Sequence, residues 1–319
     1  MTRTGVVIVT YNSADMIERC LESCGDLPVV VVDNASKDAT CELVRRHSLV
    51  RLIANPTNYG FAGAVNQAVP ALDTELVLLL NPDTELKTPL EELEAVCLQA
   101  GTGIAAGQLA DDQGRPQRGF TLRRFPKAGT LIFEVLGINR LLPANALNRS
   151  YRCFDLDLSK SAEVEQPPGA FLMFRREVWQ RLGGFDTQFY PLWFEDVDFC
   201  KRVCELGLKI QYVPQVMARH KGGHSIASLD WECREVYWYA SLLRYASKHF
   251  RPRDFRWVSA AVVLGSLFRT AIGVMTQRSF RPITVYGRIG RLAGRSLISG
   301  RVSVVKGLGF TKAVEEQEQ

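Results

Sequence analysis

Four unbroken apolar runs follow one another early in the chain: VVIVT (6–10), VVVVDN (29–34), VRLIAN (50–55) and ELVLLLNPD (75–83). None alternates apolar with polar residues, so both faces of each strand need cover. That pattern suits parallel strands lying between layers of helix. Helical patterns separate the runs. Asn12 or Ser13 can cap a helix after the first, the next opens at Ser36 or Asp38, and GFAGAVNQAV (60–69) is a helix of small residues. Strand–helix alternation implies βαβ units with right-handed crossovers, hence an α/β fold with a mixed, mostly parallel sheet flanked by helices. Ligands on such sheets sit outside the C-terminal ends of the strands. Here those ends read TYNS, DNAS and NPDT, all polar.

Further along, ADDQGRPQRGFTLRRFP (110–126) has turn chemistry around Gly114 and predicts a hairpin or mobile loop. GAFLMFRREVWQRLGGFD (169–186) predicts a strand, a helix and a glycine stop at Gly183 and Gly184. A helix from about Glu195 to Leu206 buries Phe199, Val203 and Leu206. KIQYVP and VMARH read as two short strands, the second ending at His220, and from about Leu229 the chain is helical and then basic.

Several classes are disfavoured. No GxGxxG follows the first strand and no GxxxxGK[ST] occurs, which argues against a dinucleotide dehydrogenase and a P-loop enzyme. The eight cysteines form no CxxC pair; Cys20/Cys24 and Cys200/Cys204 have helical spacing that suits buried thiols. The N-terminal apolar run is too short for a signal peptide, so a reduced, cytoplasmic setting is expected.

The stretches VVIVTYNSADMIERCLES, VVVVDNASKDAT, NPTNYGFAGAVNQAV, LLLNPDTEL, GAFLMFRREVWQRLGGFDTQFYPLWFEDVDFCKRV and HKGGHS together resemble the family-2 inverting glycosyltransferases. The likeness is closest to the bacterial rhamnosyltransferase-like branch and covers about residues 5–226. It implies a GT-A fold, a nucleotide-diphospho-sugar donor and a divalent metal, Mg2+ or Mn2+.

Carried onto this chain, the resemblance makes Asp33 and Asn34 partners for the nucleobase. Thr10 and Tyr11 would pack beside it and Asn12 follows at the same strand end; alternatively Asp33 caps the next helix. Asn58, Gly60 and Phe61 open the small-residue helix, where a glycine permits close backbone approach and an anion is welcome; plain helix packing is the competing reading. Asp83 becomes the carboxylate ligand of the metal, and Asn81 stands where many relatives carry an acid. Asn-Pro-Asp also favours a turn. His220 completes the metal site, with His224 as the competing choice. Asp196 is the base that takes the proton from the acceptor hydroxyl. Glu195 binds the acceptor, and the FYPLW segment with Trp193 makes an apolar platform for it. Acids in a first helical turn also need no function to explain them. Other donors, such as a uridine-diphosphate hexose or galactofuranose, remain open. A non-catalytic nucleotide-sugar or glycan-binding relative is the alternative, against which the presence of both Asp83 and Asp196 speaks; a nucleotidyltransferase would want a glycine-rich, basic phosphate loop after strand one, which TYNSADM is not.

The net charge of +5 conceals an asymmetry. Arg244 to Lys312 holds fourteen Lys/Arg against one acid, Asp254, leaving a net −8 on the rest. RWVSAAVVLGSLFRTAIGVM (256–275) is apolar but interrupted by Arg269. The expected organisation is a GT-A domain over 1–228 and a basic helical region over 229–319. That region would bring the enzyme to the inner face of the membrane and a glycan or lipid-linked acceptor. A soluble appendage or a homo-oligomer contact is the alternative. No nucleic-acid-binding module surrounds these basic residues, so nucleic acid is not expected as a partner.

Overall fold

The computed structural model describes residues 3–222 and 230–302. They form two compact units. The first takes in residues 3–125, 152–187 and 195–222, and the second 126–151, 188–194 and 230–302.

The first unit is built on one nine-stranded sheet. Its strands are β1 (Thr4–Thr10), β2 (Val29–Asp33), β3 (Val50–Ala54), β4 (Leu76–Leu80), β5 (Thr84–Leu86), β6 (Thr102–Ala110), β7 (Ala162–Val164), β8 (Phe171–Arg175) and β9 (Lys209–His220). The order is β3-β2-β1-β4-β8-β6-β9-β5, with β7 also paired to β9. β1 to β4 run parallel, β8 is antiparallel to both β4 and β6, and β9 runs parallel to β6. The unbroken apolar runs now have their reason. Val7, Val30 and Leu79 point into one core cluster, while Val6, Ile8, Val31 and Leu78 point into another. Successive side chains of a strand alternate faces, so two-sided cover requires both sets to be apolar.

The helices in chain order are α1 (Ile17–Ser23), α2 (Thr40–Arg45), α3 (Gly60–Ala68), α4 (Glu91–Cys97), α5 (Ala128–Val135), α6 (Ile138–Leu141), α7 (Ala146–Tyr151), α8 (Arg176–Leu182), α9 (Glu195–Glu205), α10 (Trp231–His249), α11 (Pro252–Gln277) and α12 (Arg281–Ser299). α8 ends at Gly183, whose left-handed φ of 68° a glycine adopts without strain. α9 buries Phe199 and Val203, and Phe199 stacks on Phe185 at 4.2 Å.

Four details differ from the sequence reading. Neither Asn12 nor Ser13 caps α1. The helix starts at Ile17, the Ser13 carbonyl accepts from Met16 and Ile17, and the Asn12 amide oxygen accepts from Lys37 N. Asp33 does not cap α2, because Asp38 accepts from Thr40 N at the start of that helix. Leu206 is half-buried. The two short strands before His220 are one, β9, with a register shift from Gly107↔Val213 to Gln108↔Met217. Pro214 falls within that shift, where its missing N–H breaks no ladder.

In the second unit α11 packs on α12 and on α5. Gly265 allows the close approach: a Cβ there would lie 2.5 Å from the Val135 carbonyl oxygen. Arg269, the charge that interrupts the apolar stretch, is turned inward toward the carbonyls of Glu134 and Val135 at the end of α5, both 3.4 Å away. A cation suits the C-terminal end of a helix. The short segment 188–194 joins this unit through Ser241, which donates to the Leu192 carbonyl at 3.2 Å, and through a tilted contact between Phe194 and Tyr245.

Asn66 on α3 holds the corner after α8. Its oxygen accepts from Phe185 N at 2.9 Å and from the Trp179 indole at 3.2 Å, and its nitrogen donates to the Phe185 carbonyl at 2.8 Å. Asn66→Ala strands these partners. It is expected to cost about 2–3 kcal/mol in a denaturant unfolding experiment, given about 1–3 kcal/mol for each buried group left unpaired and partial rescue by water.

Candidate active site

β4 runs into a turn in which Thr84 N donates to the Asn81 carbonyl at 3.1 Å, with Pro82 and Asp83 at its centre. The turn reading and the ligand reading of Asp83 are therefore compatible. β5 then pairs antiparallel with β9 so that Thr84 lies opposite His220, and Lys221 N donates to the Asp83 carbonyl at 3.0 Å. This register places His220 Nε2 3.5 Å from Asp83 Oδ1, with side chains only 3% and 5% exposed. Asp83 Oδ1 is buried and has no hydrogen-bond partner among the described residues. Burial holds the His220 imidazole below its ordinary pKa, while Asp83 pulls it back up. A neutral imidazole nitrogen and an unsatisfied carboxylate oxygen facing each other fit a hard or borderline divalent cation. Among the described residues no group of three or more His, Cys, Asp or Glu forms such a site, so Asp83 and His220 stand as a pair. His224 lies outside the described residues.

The hairpin after β6 reaches this pair. It turns at Gly114, with Ala110 bridged to Pro116. Past the turn, Gln117 hydrogen-bonds to His220 and Phe120 stacks on the imidazole at 5.0 Å with an interplanar angle of 14°. The Arg123 guanidinium lies 5.9 Å from the centre of the Phe120 ring. The sequence reading missed all three. The turn at Gly114 was legible, but nothing local links Gln117 to a histidine 103 residues away.

Asp196 sits in the first turn of α9. Its Oδ2 accepts from Gly169 N at 3.0 Å and its Oδ1 from Val197 N at 2.8 Å. The neighbouring Ala170 carbonyl accepts from Asn81 N at 3.1 Å, so the Asp196 anchor adjoins the Asn-Pro-Asp turn. Burial raises the Asp196 carboxyl above its ordinary value, and the Gly169 and Val197 N–H groups and the Arg123 charge pull the other way. Glu195 is buried at 6% exposure, and its Oε2 has no hydrogen-bond partner among the described residues. Burial pushes its pKa well up, and Asp196 and Asp198 add to the push. Asp198 differs in kind: it is fully buried and paired with Arg202 at 2.7 Å. Arg202 also donates to the Leu182 and Gly184 carbonyls. Asp198 thereby holds α9 against the end of α8.

The ends of β1 and β2 form a second polar group. Asp33 accepts from Thr10 Oγ1 at 2.8 Å, from Ser36 Oγ at 2.5 Å and from Ser36 N at 2.8 Å. Asn34 donates to the Gly60 carbonyl at 3.1 Å and accepts from Asn55 and from Tyr59 N. Asn58 accepts from Gly60 N at 2.8 Å. Thr10, Asp33, Asn34, Asn58 and Gly60 are thus brought together by direct bonds. Asn12 joins them through its N–H to Ser36 Oγ at 2.8 Å, while Tyr11 and Phe61 are half-buried next to them in the chain. Trp193 belongs to the second unit, and it and Phe194 both hold left-handed backbone, φ 76° and 70°, directly before Glu195. Such conformations cost non-glycine residues free energy.

The family model for glycosyl transferase family 2 matches residues 5–183, and one for the N-terminal domain of galactosyltransferase matches 156–223. The chain is 27% identical over 242 residues to the N-acetylglucosaminyl-diphospho-decaprenol L-rhamnosyltransferase of Mycobacterium tuberculosis, covering 69% of this chain and 76% of that one. It is 25% identical over 266 residues to rhamnosyltransferase WbbL of Escherichia coli, covering 76% and 94%. Among solved structures it is similar to a mannosyltransferase from Pyrobaculum calidifontis in complex with GDP-Man and Mn2+. There the TM-score is 0.52 at 18% identity, over 94% of this chain and 88% of that one. At this identity the likeness speaks for the fold alone, which is the GT-A arrangement.

The buried Glu195 has a consequence for stability. In the unfolded chain this carboxyl titrates near its ordinary value of 4.5, and in the fold well above it. As pH rises past that ordinary value the unfolded chain releases a proton that the folded chain keeps, so stability falls. Glu195→Gln removes this term. The variant is expected to melt above wild type at about pH 8, with the difference closing by about pH 4, in thermal unfolding followed across that range.

Proposed function

The chain belongs to glycosyl transferase family 2, in its rhamnosyltransferase-like branch, and from that premise we propose that it transfers L-rhamnose, with inversion, from a deoxythymidine-diphosphate donor to a glycan or lipid-linked acceptor in bacterial cell-surface polysaccharide assembly. The observation that carries the site reading is the orphaned Asp83 oxygen facing His220 at 3.5 Å. The choice of sugar draws on the names of the relatives from Mycobacterium tuberculosis and Escherichia coli, and the choice of a lipid-linked acceptor on the first of them. A uridine-diphosphate hexose or galactofuranose is the second reading of the donor, favoured by the match of 156–223 to a galactosyltransferase domain.

In this reading residues 1–228 carry the chemistry. Asp33 and Asn34, with Thr10, Tyr11 and Asn12, take the nucleoside; Asn58, Gly60, Phe61 and Asn81 adjoin the diphosphate. Asp83 and His220 hold the divalent cation, Mn2+ or Mg2+, which when bound supplies positive charge to the departing diphosphate. Asp196 takes the proton from the acceptor hydroxyl as that oxygen attacks the anomeric carbon and the bond to the diphosphate breaks. Its raised pKa makes it a better proton acceptor than an ordinary surface aspartate. Glu195 binds the acceptor. A non-catalytic binding protein would need no such base.

The 229–319 region is proposed to rest on the inner face of the cell membrane. Among the described residues α11 is the one helix long and apolar enough to cross a bilayer. Trp257, Leu264, Leu267, Phe268, Ile272 and Met275 are exposed along it, and helical spacing puts them on one side. Arg288, Arg291 and Arg295 are exposed on α12, which carries no acid. An apolar stripe beside arginines matches an anionic lipid surface.

Calorimetry with Mn2+ or Mg2+ against deoxythymidine-, uridine- and guanosine-diphosphate sugars tests the transfer reading. Binding of one deoxythymidine-diphosphate sugar is expected, dependent on metal and lost in Asp83→Ala; no binding across the panel by folded protein overturns it. Asp196→Asn is expected to keep donor binding and lose turnover by roughly 10²–10⁴-fold. In wild type kcat/KM should rise with pH through a midpoint above the usual aspartate range. For the membrane, intact chain should float with vesicles containing anionic lipid and less so with neutral ones or in high salt. Full solubility without detergent in low salt, or a stable dimer there, removes the idea.

A further inference from the structure

The side chain of Gln117 makes two hydrogen bonds to a single residue. Its amide nitrogen donates to the His220 carbonyl at 2.7 Å, and its amide oxygen lies 2.9 Å from ring Nδ1. A carbonyl oxygen only accepts, so the amide nitrogen is the end that must face it. The amide oxygen is thereby left to Nδ1, and since that oxygen also only accepts, Nδ1 must carry the hydrogen. In a neutral imidazole the other nitrogen, Nε2, is then bare. It is the atom that faces Asp83 Oδ1 at 3.5 Å, and that oxygen has no hydrogen-bond partner among the described residues. Two acceptors face each other with no hydrogen between them.

The clamp is itself anchored. Gln117 N donates to the Leu109 carbonyl at 3.0 Å, on the last turn-ward residues of β6, and the Gln117 carbonyl accepts from Phe120 N and Thr121 N. Phe120 stacks on the imidazole, and Gly222, at φ 77°, lies so close that a Cβ there would meet ring Cε1 at 3.4 Å. The ring is fixed in tilt as well as in tautomer.

We propose that Gln117 is a positioning residue: it locks His220 in the Nδ1–H tautomer and aims the bare Nε2, together with Asp83, at a divalent cation. The inference rests on the reading of Asp83 and His220 as a cation site. It also sets the class of cation. A site offering imidazole nitrogen beside a carboxylate favours Mn2+ over the more strictly oxygen-seeking Mg2+, provided the nitrogen lone pair is held in place. Gln117 is the residue that holds it.

Nuclear magnetic resonance of the ring nitrogens in 15N-labelled, metal-free intact chain reads the tautomer directly. The chain has four histidines, and His220→Ala identifies the relevant signals by their loss. The Nδ1–H form is expected; an Nε2–H form overturns the inference without recourse to any Gln117 variant. Calorimetry with Mn2+, alone and with thymidine diphosphate, then compares wild type, His220→Ala and Gln117→Leu. Gln117→Leu is expected to weaken Mn2+ by about 10–100-fold, as for other partners of metal-binding histidines, and to narrow the preference for Mn2+ over Mg2+. If His220→Ala weakens Mn2+ and Gln117→Leu does not, the cation site stands and the role of Gln117 falls. If wild type binds no Mn2+ under either condition, or His220→Ala binds as wild type does, the cation reading itself falls and takes the inference with it.

Discussion

The antiparallel course of β8 between β4 and β6 is the constraint on which the candidate site depends. The C-terminal ends of β1, β2, β4, β6 and β9 all lie along one edge of the sheet, which follows from their pairing. A reversed β8 brings its N-terminal end to that same edge. Gly169 and Ala170 therefore lie against the Asn-Pro-Asp turn, and the Gly169 N–H is free to fix the Asp196 carboxylate. A parallel β8 would carry that anchor to the opposite edge. β9, running with β6 and against β5, then brings His220 beside Asp83. Asp196 and the Asp83–His220 pair come to the same edge through strand direction, although 113 residues separate Asp83 from Asp196.

Free energy is spent unevenly across this edge. Among the described residues Glu195 Oε2 and Asp83 Oδ1 are buried without hydrogen-bond partners, and Glu195 is crowded by two neighbouring acids. Each is unfavourable to folding on its own. Close by, the polar groups are well satisfied: Asp198 is paired with Arg202, Asn66 makes three bonds, and Asp33 accepts three. Unpaired groups where a ligand is proposed to sit, ringed by paired groups that hold the frame, are what a site prepared for charged substrates requires.

What the sequence disclosed follows the range of the interactions involved. The four parallel strands, α3 and the glycine stop of α8 depend on local pattern and agree with the structure. The candidate residues at strand ends were legible because strand direction alone fixes which ends meet. Gln117 and Phe120 were not, since their partner lies across the sheet order and no spacing rule points to it. Pro214 split β9 on paper, because a register shift is a property of two strands and cannot be read from one. Arg269 interrupted an apolar stretch in the sequence, yet a helix has sides, and this charge lies on the side turned to α5.

α3 is bracketed at both ends by amides. Asn34 holds the Gly60 carbonyl at its start, and Asn66 near its end holds Phe185, whose ring lies flat on Phe199 of α9. The helix is thus a strut between the β2 strand end and the helix that carries Asp196. A helix rises 1.5 Å and turns about 100° per residue. One residue more or fewer in α3 would swing Asn66 off its corner while leaving Asn34 in place. The length of this short helix is therefore a gauge: it sets the spacing between the two ends of the site in units of whole residues, and sequence drift within it is free only where the count is kept.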